Sequence, residues 1–125
     1  MSPDQNRRRV GDRGEALALG YLVKKGYALV ERNYRTRRGE IDLILTHGNT
    51  LVFVEVKLRR GTGFGDPLEA VTSRKQARIR LIAEQYLAER GEDFTDGFDT
   101  MRFDVVGILL PRSGNPEVRH VEDAF

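Results

Sequence analysis

Residues 40–58 read EIDLILTHGNTLVFVEVKL, two runs rich in Ile, Leu, Val and Phe (41–46 and 51–58) on either side of His47-Gly48-Asn49-Thr50. Gly-Asn is a two-residue hairpin turn, and β-branched and aromatic residues suit a pleated surface, so the stretch predicts a β-hairpin. If Gly48 and Asn49 turn, His47 pairs with Thr50. A four-residue loop from His47 to Thr50 would close on Thr46 and Leu51 and leave the register unchanged. Asp42 then stands opposite Glu55, and Glu40 opposite Lys57. With a side-chain period of two, Glu40, Asp42, Ile44, Leu51, Phe53, Glu55 and Lys57 project from one face. Ile41, Leu43, Leu45, Val52, Val54, Val56 and Leu58 project from the other, which is wholly apolar and reads as core.

Carboxylates placed directly across a strand pair repel, and a hairpin selected only for stability would avoid them. A divalent cation between Asp42 and Glu55 removes the difficulty, since Mg²⁺ is typically held by one or two carboxylates with waters and phosphate oxygens. Lys57 would point its ammonium at the same spot. The competing reading is a surface lattice in which Lys57 neutralises Glu40 and Glu55, worth little to stability. Acids set among Ile, Leu and Val in strands are depleted by propensity, which favours the cation.

Working outward, Asp12-Arg-Gly-Glu15 has the form of a capping box and opens a helix over about 12–25 that carries Leu19, Leu22 and Val23 and stops at Gly26. Residues 1–11 read as a flexible basic tail. Glu15 is either the partner of the Asp12 cap or, with Leu19 and Leu22 at i+4 and i+7, an inward carboxylate that wants a cation. A short strand is expected at 27–30 and a basic, turn-rich connector at 35–39. After the hairpin come a Gly-rich loop (61–67) and a brief helical turn (67–71). Ser73-Arg-Lys-Gln76 is a second capping box, opening a helix to about Arg90 with Ile79, Ile82, Ala83, Tyr86 and Leu87 on its apolar side. An acidic loop (92–100), a strand (101–110), a turn (112–116) and a last strand (118–121) complete one domain, 12–125, in the order α-β-β-β-α-β-β. Arg74, Lys75 and Arg78 crowd the start of the second helix, where the macrodipole favours anions, so an external phosphate is expected there. Gln76 either closes its capping box or reaches the carboxylates. Asp104 is an internal acid with no partner evident from sequence, and His47 and His120 read as bystanders.

The 125 residues carry a net charge of +2, but residues 1–60 hold 13 Lys+Arg against 7 Asp+Glu while residues 61–125 hold 8 against 12. The basic half, with Arg35, Arg37 and Arg38, invites a polyanion. With no Cys and 2 His, disulfides, thiolate zinc sites and Cys nucleophiles are excluded, and any metal is a hard one held by oxygen. The start lacks an apolar h-region and no apolar run approaches membrane-helix length, so the expectation is a cytoplasmic protein with no membrane contact.

The pattern GDRGE…GY…ERNYR…GEIDLI…FVEVKLR…AV…KQ…RFDVV…AF resembles the YraN family of bacterial proteins across nearly the whole chain. That family is in turn similar to the restriction-endonuclease-like PD-(D/E)xK nucleases, including Holliday-junction resolvases. The resemblance implies an α/β fold with a mixed β-sheet flanked by helices. It makes Asp42 the motif's first acid, Glu55 and Lys57 its (D/E)xK, and Glu15 the acid of the first helix, with Glu40 and Gln76 in support; Ile41 stands where the motif often has Pro. The implied activity is hydrolysis of DNA phosphodiester bonds, as endonuclease or exonuclease, with branched DNA among the substrates. Mg²⁺ or Mn²⁺ would be held by Asp42, Glu55, the Val56 backbone carbonyl and Glu15. Arg35, Arg37, Arg38, Arg74, Lys75 and Arg78 would grip the nucleic acid, and a homodimer would suit two symmetric cuts. The alternative is an inactive nucleic-acid-binding or assembly module of the same fold.

Overall fold

The turn at the tip of the hairpin forms as the sequence predicts. Gly48 takes φ 59, the left-handed value that the first turn position of a II′ hairpin demands, and pairing runs from His47↔Thr50 to Leu43↔Val54. The computed structural model describes residues 3–61 and 71–125, with side chains from residue 12. Its elements are α1 (Pro3–Lys24), β1 (Ala28–Thr36), β2 (Gly39–His47), β3 (Thr50–Arg60), α2 (Ser73–Arg90), α3 (Glu92–Thr95), β4 (Thr100–Leu110) and β5 (Glu117–Val121). The sheet order is β1-β2-β3-β4-β5, with β3 and β4 parallel and the other pairs antiparallel. The parallel step requires a crossover, which α2 supplies. The result is an open mixed sheet flanked by helices, a restriction-endonuclease-like arrangement.

Both faces of the hairpin are buried, and each meets a different helix. Ala18 and Leu22 of α1 pack on Leu43, Leu45, Val52, Val54, Val106 and Ile108. Ile79, Ile82, Ala83 and Tyr86 of α2 pack on Ile44, Leu51, Phe53 and Val105. Strands covered on two sides read as nearly unbroken apolar runs, which is what 41–46, 51–54 and 105–110 are. Ile41 corrects the simple alternation: it lies in the α2 layer with Ile44, not with Leu43 and Leu45. The period-two pattern breaks across Asp42.

Several boundaries differ from the sequence expectation. Helix α1 begins at Pro3, so it takes in residues assigned to the tail, and Asp12 and Glu15 lie inside the helix, not at its cap. Strand β1 continues to Thr36, placing Arg35 in a strand and leaving Arg37 and Arg38 at the turn. The cap of α2 is Thr72, whose side chain accepts the Lys75 amide at 3.3 Å, one residue before the expected Ser73. The acidic loop contains α3. Most of the Gly-rich loop, and the helical turn expected at 67–71 apart from Val71, lie outside the described residues. No helix among the described residues is long and apolar enough to cross a membrane.

Asp104, fully buried on β4, has partners that sequence did not reveal. Arg102 donates to both of its oxygens (2.8 and 2.9 Å), the Asp123 amide donates to Oδ1 (3.0 Å), and His120 Nε2 lies 2.7 Å from Oδ2. Lys25 Nζ is 3.3 Å from His120 Nδ1, and an ammonium can only donate, so Nδ1 accepts and Nε2 carries the proton shared with Asp104. His120 is therefore a structural partner, not a bystander. Arg102 also donates to the Tyr27 hydroxyl at 2.7 Å, so one carboxylate joins the start of β1, β4, β5 and the segment after β5.

Burial alone would raise the Asp104 carboxyl, but hydrogen bonds from His120, Arg102 and the Asp123 amide outweigh it and hold the group below its ordinary 3.8. A depressed folded value contributes stability that is complete above the unfolded value and is lost as pH falls through the folded one. Asp104→Ala, which strands Arg102 and His120, is expected to lower the unfolding free energy by about 3 kcal/mol at neutral pH. It should also remove part of the acid sensitivity. Denaturant titrations at neutral and acid pH check both, and an unchanged midpoint would show the network to be dispensable.

Candidate active site

The hairpin ladder ends at Leu43↔Val54, so Asp42 and Glu55 are not the directly opposed pair that simple register predicts. Asp42 Oδ2 instead accepts the Val56 backbone amide at 2.7 Å. The side chain thus takes a donor on β3 next to the point where the ladder stops. The opening has room for other side chains: Gly39, Glu40, Asp42, Glu55, Lys75, Arg78 and Ile79 line a cavity of about 280 Å³ there.

Glu15 reaches the same place from α1. One carboxylate oxygen each from Glu15, Glu40 and Asp42 lies within 4.8 Å of the other two, and both Glu15 and Asp42 are only 9% exposed. Of the readings open for Glu15, the inward carboxylate is the one realised. Its Oε2 is buried without a hydrogen-bond partner among the described residues, and Arg32 Nη2 lies 3.8 Å from it. Asn33 hydrogen-bonds Glu15 and has a left-handed φ of 52 inside β1. Arg32 and Asn33 were missed by the sequence reading. The available signal was an Asn, tolerant of that conformation and depleted in strands, in the middle of ERNYR.

Glu40 does not face Lys57 as expected. It stands across from Arg35 and accepts its Nε at 3.0 Å, so Arg35 is committed to the site's own acid. Glu55 carries two cations: Lys57 Nζ at 3.3 Å and Lys75 Nζ at 3.4 Å from the same Oε1. Lys75, expected as a phosphate ligand, is therefore also part of the carboxylate centre. Gln76 Nε2 donates to the Val71 carbonyl at 3.0 Å, outside the capping box and away from the clustered acids. Arg74 is exposed near the start of α2, while Arg37 and Arg38 line a separate cavity with Gln85.

The electrostatics follow from this crowding. Burial first, then the Glu55 charge, pushes Asp42 up to about 8, with Glu15 and Glu40 adding and the Val56 amide opposing. Burial also raises Glu15, against the Asn33 hydrogen bond. Lys57 is lowered by burial and by its contact with Lys75, which outweigh Glu55. A divalent cation fits the donor set: three converging hard oxygens, a buried Oε2 with no hydrogen bond among the described residues, and an acid whose charge is disfavoured without one. The trio nearest one point is Glu15, Glu40 and Asp42, with Glu55 on the lysine side. Glu40, a supporting residue in the sequence reading, is thus more central in the geometry.

Residues 14–108 match the profile of the uncharacterised protein family UPF0102. The chain belongs to the UPF0102 family, the YraN-like proteins. A UPF0102 protein of Rhodococcus jostii is 49% identical over 93% of this chain and 95% of its own length. One from Clavibacter michiganensis is 49% identical over 92% and 94%, and one from Chlorobium chlorochromatii is 42% identical over 100% and 97%. In this UPF0102 chain the matched segment spans Glu15, Glu40, Asp42, Glu55, Lys57 and Lys75.

A raised folded value for Asp42 means that its proton stabilises the fold below the unfolded value near 3.8, a contribution lost as pH rises toward about 8. Asp42→Asn keeps an acceptor for the Val56 amide and removes the charge. At about pH 8.5 the metal-free variant is expected to melt at least about 3 °C above wild type, with the gap closing near pH 5. Calorimetric melting at the two pH values checks this, and a lower melting temperature for the variant at both would contradict it.

Proposed function

We propose that this chain is a cytoplasmic, Mg²⁺- or Mn²⁺-dependent phosphodiesterase acting on DNA, branched or otherwise structured DNA included. The observation that carries the reading is the convergence of Glu15, Glu40 and Asp42 oxygens within 4.8 Å, with Glu15 Oε2 buried and without a hydrogen bond among the described residues, beside the Glu55–Lys57 pair. Glu15, Glu40 and Asp42 would hold the cation, with Glu55 and the Val56 carbonyl as further oxygens of the same opening. Bound there, the cation would supply Lewis-acid charge for a phosphoryl oxygen and a nucleophilic hydroxide at neutral pH.

The chain's own groups do the rest. Asp42 gives up its proton when a cation takes its place, so binding strengthens with pH. Lys57, held by Glu55 and lowered by burial and Lys75, orients the attacking water and sets positive charge beside the phosphorane-like transition state. Arg78 and Lys75 line the cavity, and Arg37, Arg38 and Arg74 lie on the same α2 side, a cationic approach for a phosphate backbone. Arg35, occupied by Glu40, contributes to the site by holding that acid.

The test combines Mn²⁺ calorimetry with cleavage of single-stranded, duplex and four-way-junction DNA and of RNA. Wild type should bind Mn²⁺ at a site weakened at least tenfold in Asp42→Asn and Glu15→Gln. Lys57→Ala should bind DNA nearly as well as wild type while turnover falls about 100-fold, the scale of losing one preorganised electrostatic group. Sedimentation on a junction would register the dimer needed for paired cuts. Metal-loaded, DNA-bound wild type that cleaves none of these substrates would replace the enzyme with a binding module, and equal Mn²⁺ affinity in wild type and Asp42→Asn would remove the metal site.

A further inference from the structure

On the α1 side of the sheet, away from the cations of α2, three arginines from three separate elements converge. Arg13 of α1, Arg60 at the end of β3 and Arg112 just after β4 line a cavity of about 520 Å³, with Gly61, Leu110 and Pro111 as its other described walls. Arg13 and Arg60 are exposed, as is Arg112, and the side chain of none of them makes an ion pair or hydrogen bond among the described residues. No carboxylate lines the cavity among those residues. Three guanidinium groups with no counter-charge among the described residues, facing one space, repel each other, just as the clustered carboxylates do, and an oxyanion is the complement. The planar fork of each guanidinium matches phosphate bidentately.

The arginines are carried on fixed supports. Gly61 N donates to Leu110 O at 3.2 Å, so the ends of β3 and β4 that bear Arg60 and Arg112 are tied together. Gly14 lies against Leu58, where an added Cβ would be 3.4 Å from Leu58 Cβ, and this close approach sets Arg13 over the end of β3. The cavity is larger than a lone phosphate needs and falls in the range of small-ligand pockets. Leu110 and Pro111 give it an apolar wall against which a sugar or base can rest.

We propose that this cavity is a phosphate subsite that seats one nucleotide of the strand whose backbone reaches the carboxylate centre, an inference that rests on the nucleic-acid reading above. Arg60 is five residues beyond Glu55 on β3, about 16 Å along the strand. At a rise of about 3.4 Å per nucleotide that is about five nucleotides of stacked strand. The centre thus has cations on both sides: Lys75 and Arg78 toward α2, and the three arginines toward α1. The phosphate belongs either to an internal phosphodiester passing through or to a strand end.

Fluorescence anisotropy with single strands of about four and about ten nucleotides, each with and without a 5′-phosphate, tests the subsite across a salt series. The variants are Arg13→Ala/Arg60→Ala/Arg112→Ala and Arg112→Ala alone. For the longer strand the triple variant should bind at least tenfold more weakly at low salt, with a log–log salt slope smaller by about two, at about 0.7 per lost contact. Arg112→Ala, on an exposed turn, should lose about 0.7 by itself and covers the case in which the triple variant does not fold. Mn²⁺ affinity should not change. Equal losses with and without the 5′-phosphate place an internal phosphate in the cavity, and losses confined to phosphorylated strands place a strand end there; either supports the subsite. If wild type binds the longer strand and both variants match its affinity and slope, the subsite is wrong and the nucleic-acid reading stands. If wild type binds no strand at low salt, both fall together.

Discussion

The hydrogen bond from the Val56 amide to Asp42 Oδ2 is the contact on which the rest of the site depends. A hairpin ladder normally uses each such amide to hold two strands edge to edge. Here a carboxylate takes the donor, regular pairing ends at Val54, two residues before it, and the two strands part inside an otherwise buried sheet. Parting lets acids from α1, β2 and β3 share one opening. Ile41 turns to the α2 layer at the same place, so the strand gives up its alternation where the acids cluster. The carboxylate does two tasks, accepting a main-chain donor with one oxygen and adding negative charge to the cluster.

Much of this was legible because periodicity and turn chemistry are local. The Gly48-Asn49 turn fixed the register, and the run of β-branched residues placed Asp42 and Glu55 near each other with Lys57 on the same face. What failed depended on partners that periodicity and turn chemistry do not pick out. Nothing in DRGE says whether an acid caps a helix or projects from its side, because that turns on whether the preceding residues are helical. Glu40 looked like the partner of Lys57 until Arg35, across β1, proved to hold it. Asp104 had no visible partner because Arg102 is two residues away while His120 and Asp123 lie beyond a turn and another strand. The three arginines of the α1 side sit at positions 13, 60 and 112, and only the topology brings them together.

Stability and the proposed chemistry fall to different acids. Asp104 is satisfied on every side and pinned below its ordinary pKa, a purely structural charge. Asp42 is pushed the other way by burial and like charge, which makes it expensive to the fold and responsive to cations. Two buried aspartates in one sheet thus have opposite environments, and the difference is supplied by the arginine and histidine that one has and the other lacks.

On the proposed function, the clustered acids also bear on the order in which two oppositely charged ligands would arrive. A polyanion approaching Glu15, Glu40 and Asp42 meets their repulsion unless a cation has already lowered it. The two bindings then favour each other, and equilibrium linkage makes the effect reciprocal: whatever factor the cation adds to the affinity for the strand, the strand returns to the affinity for the cation. At the low free concentrations of divalent metal at which the bare cluster would stay empty, the strand itself would recruit the ion. Occupancy of the site would then be set by the presence of the polymer as much as by the supply of metal.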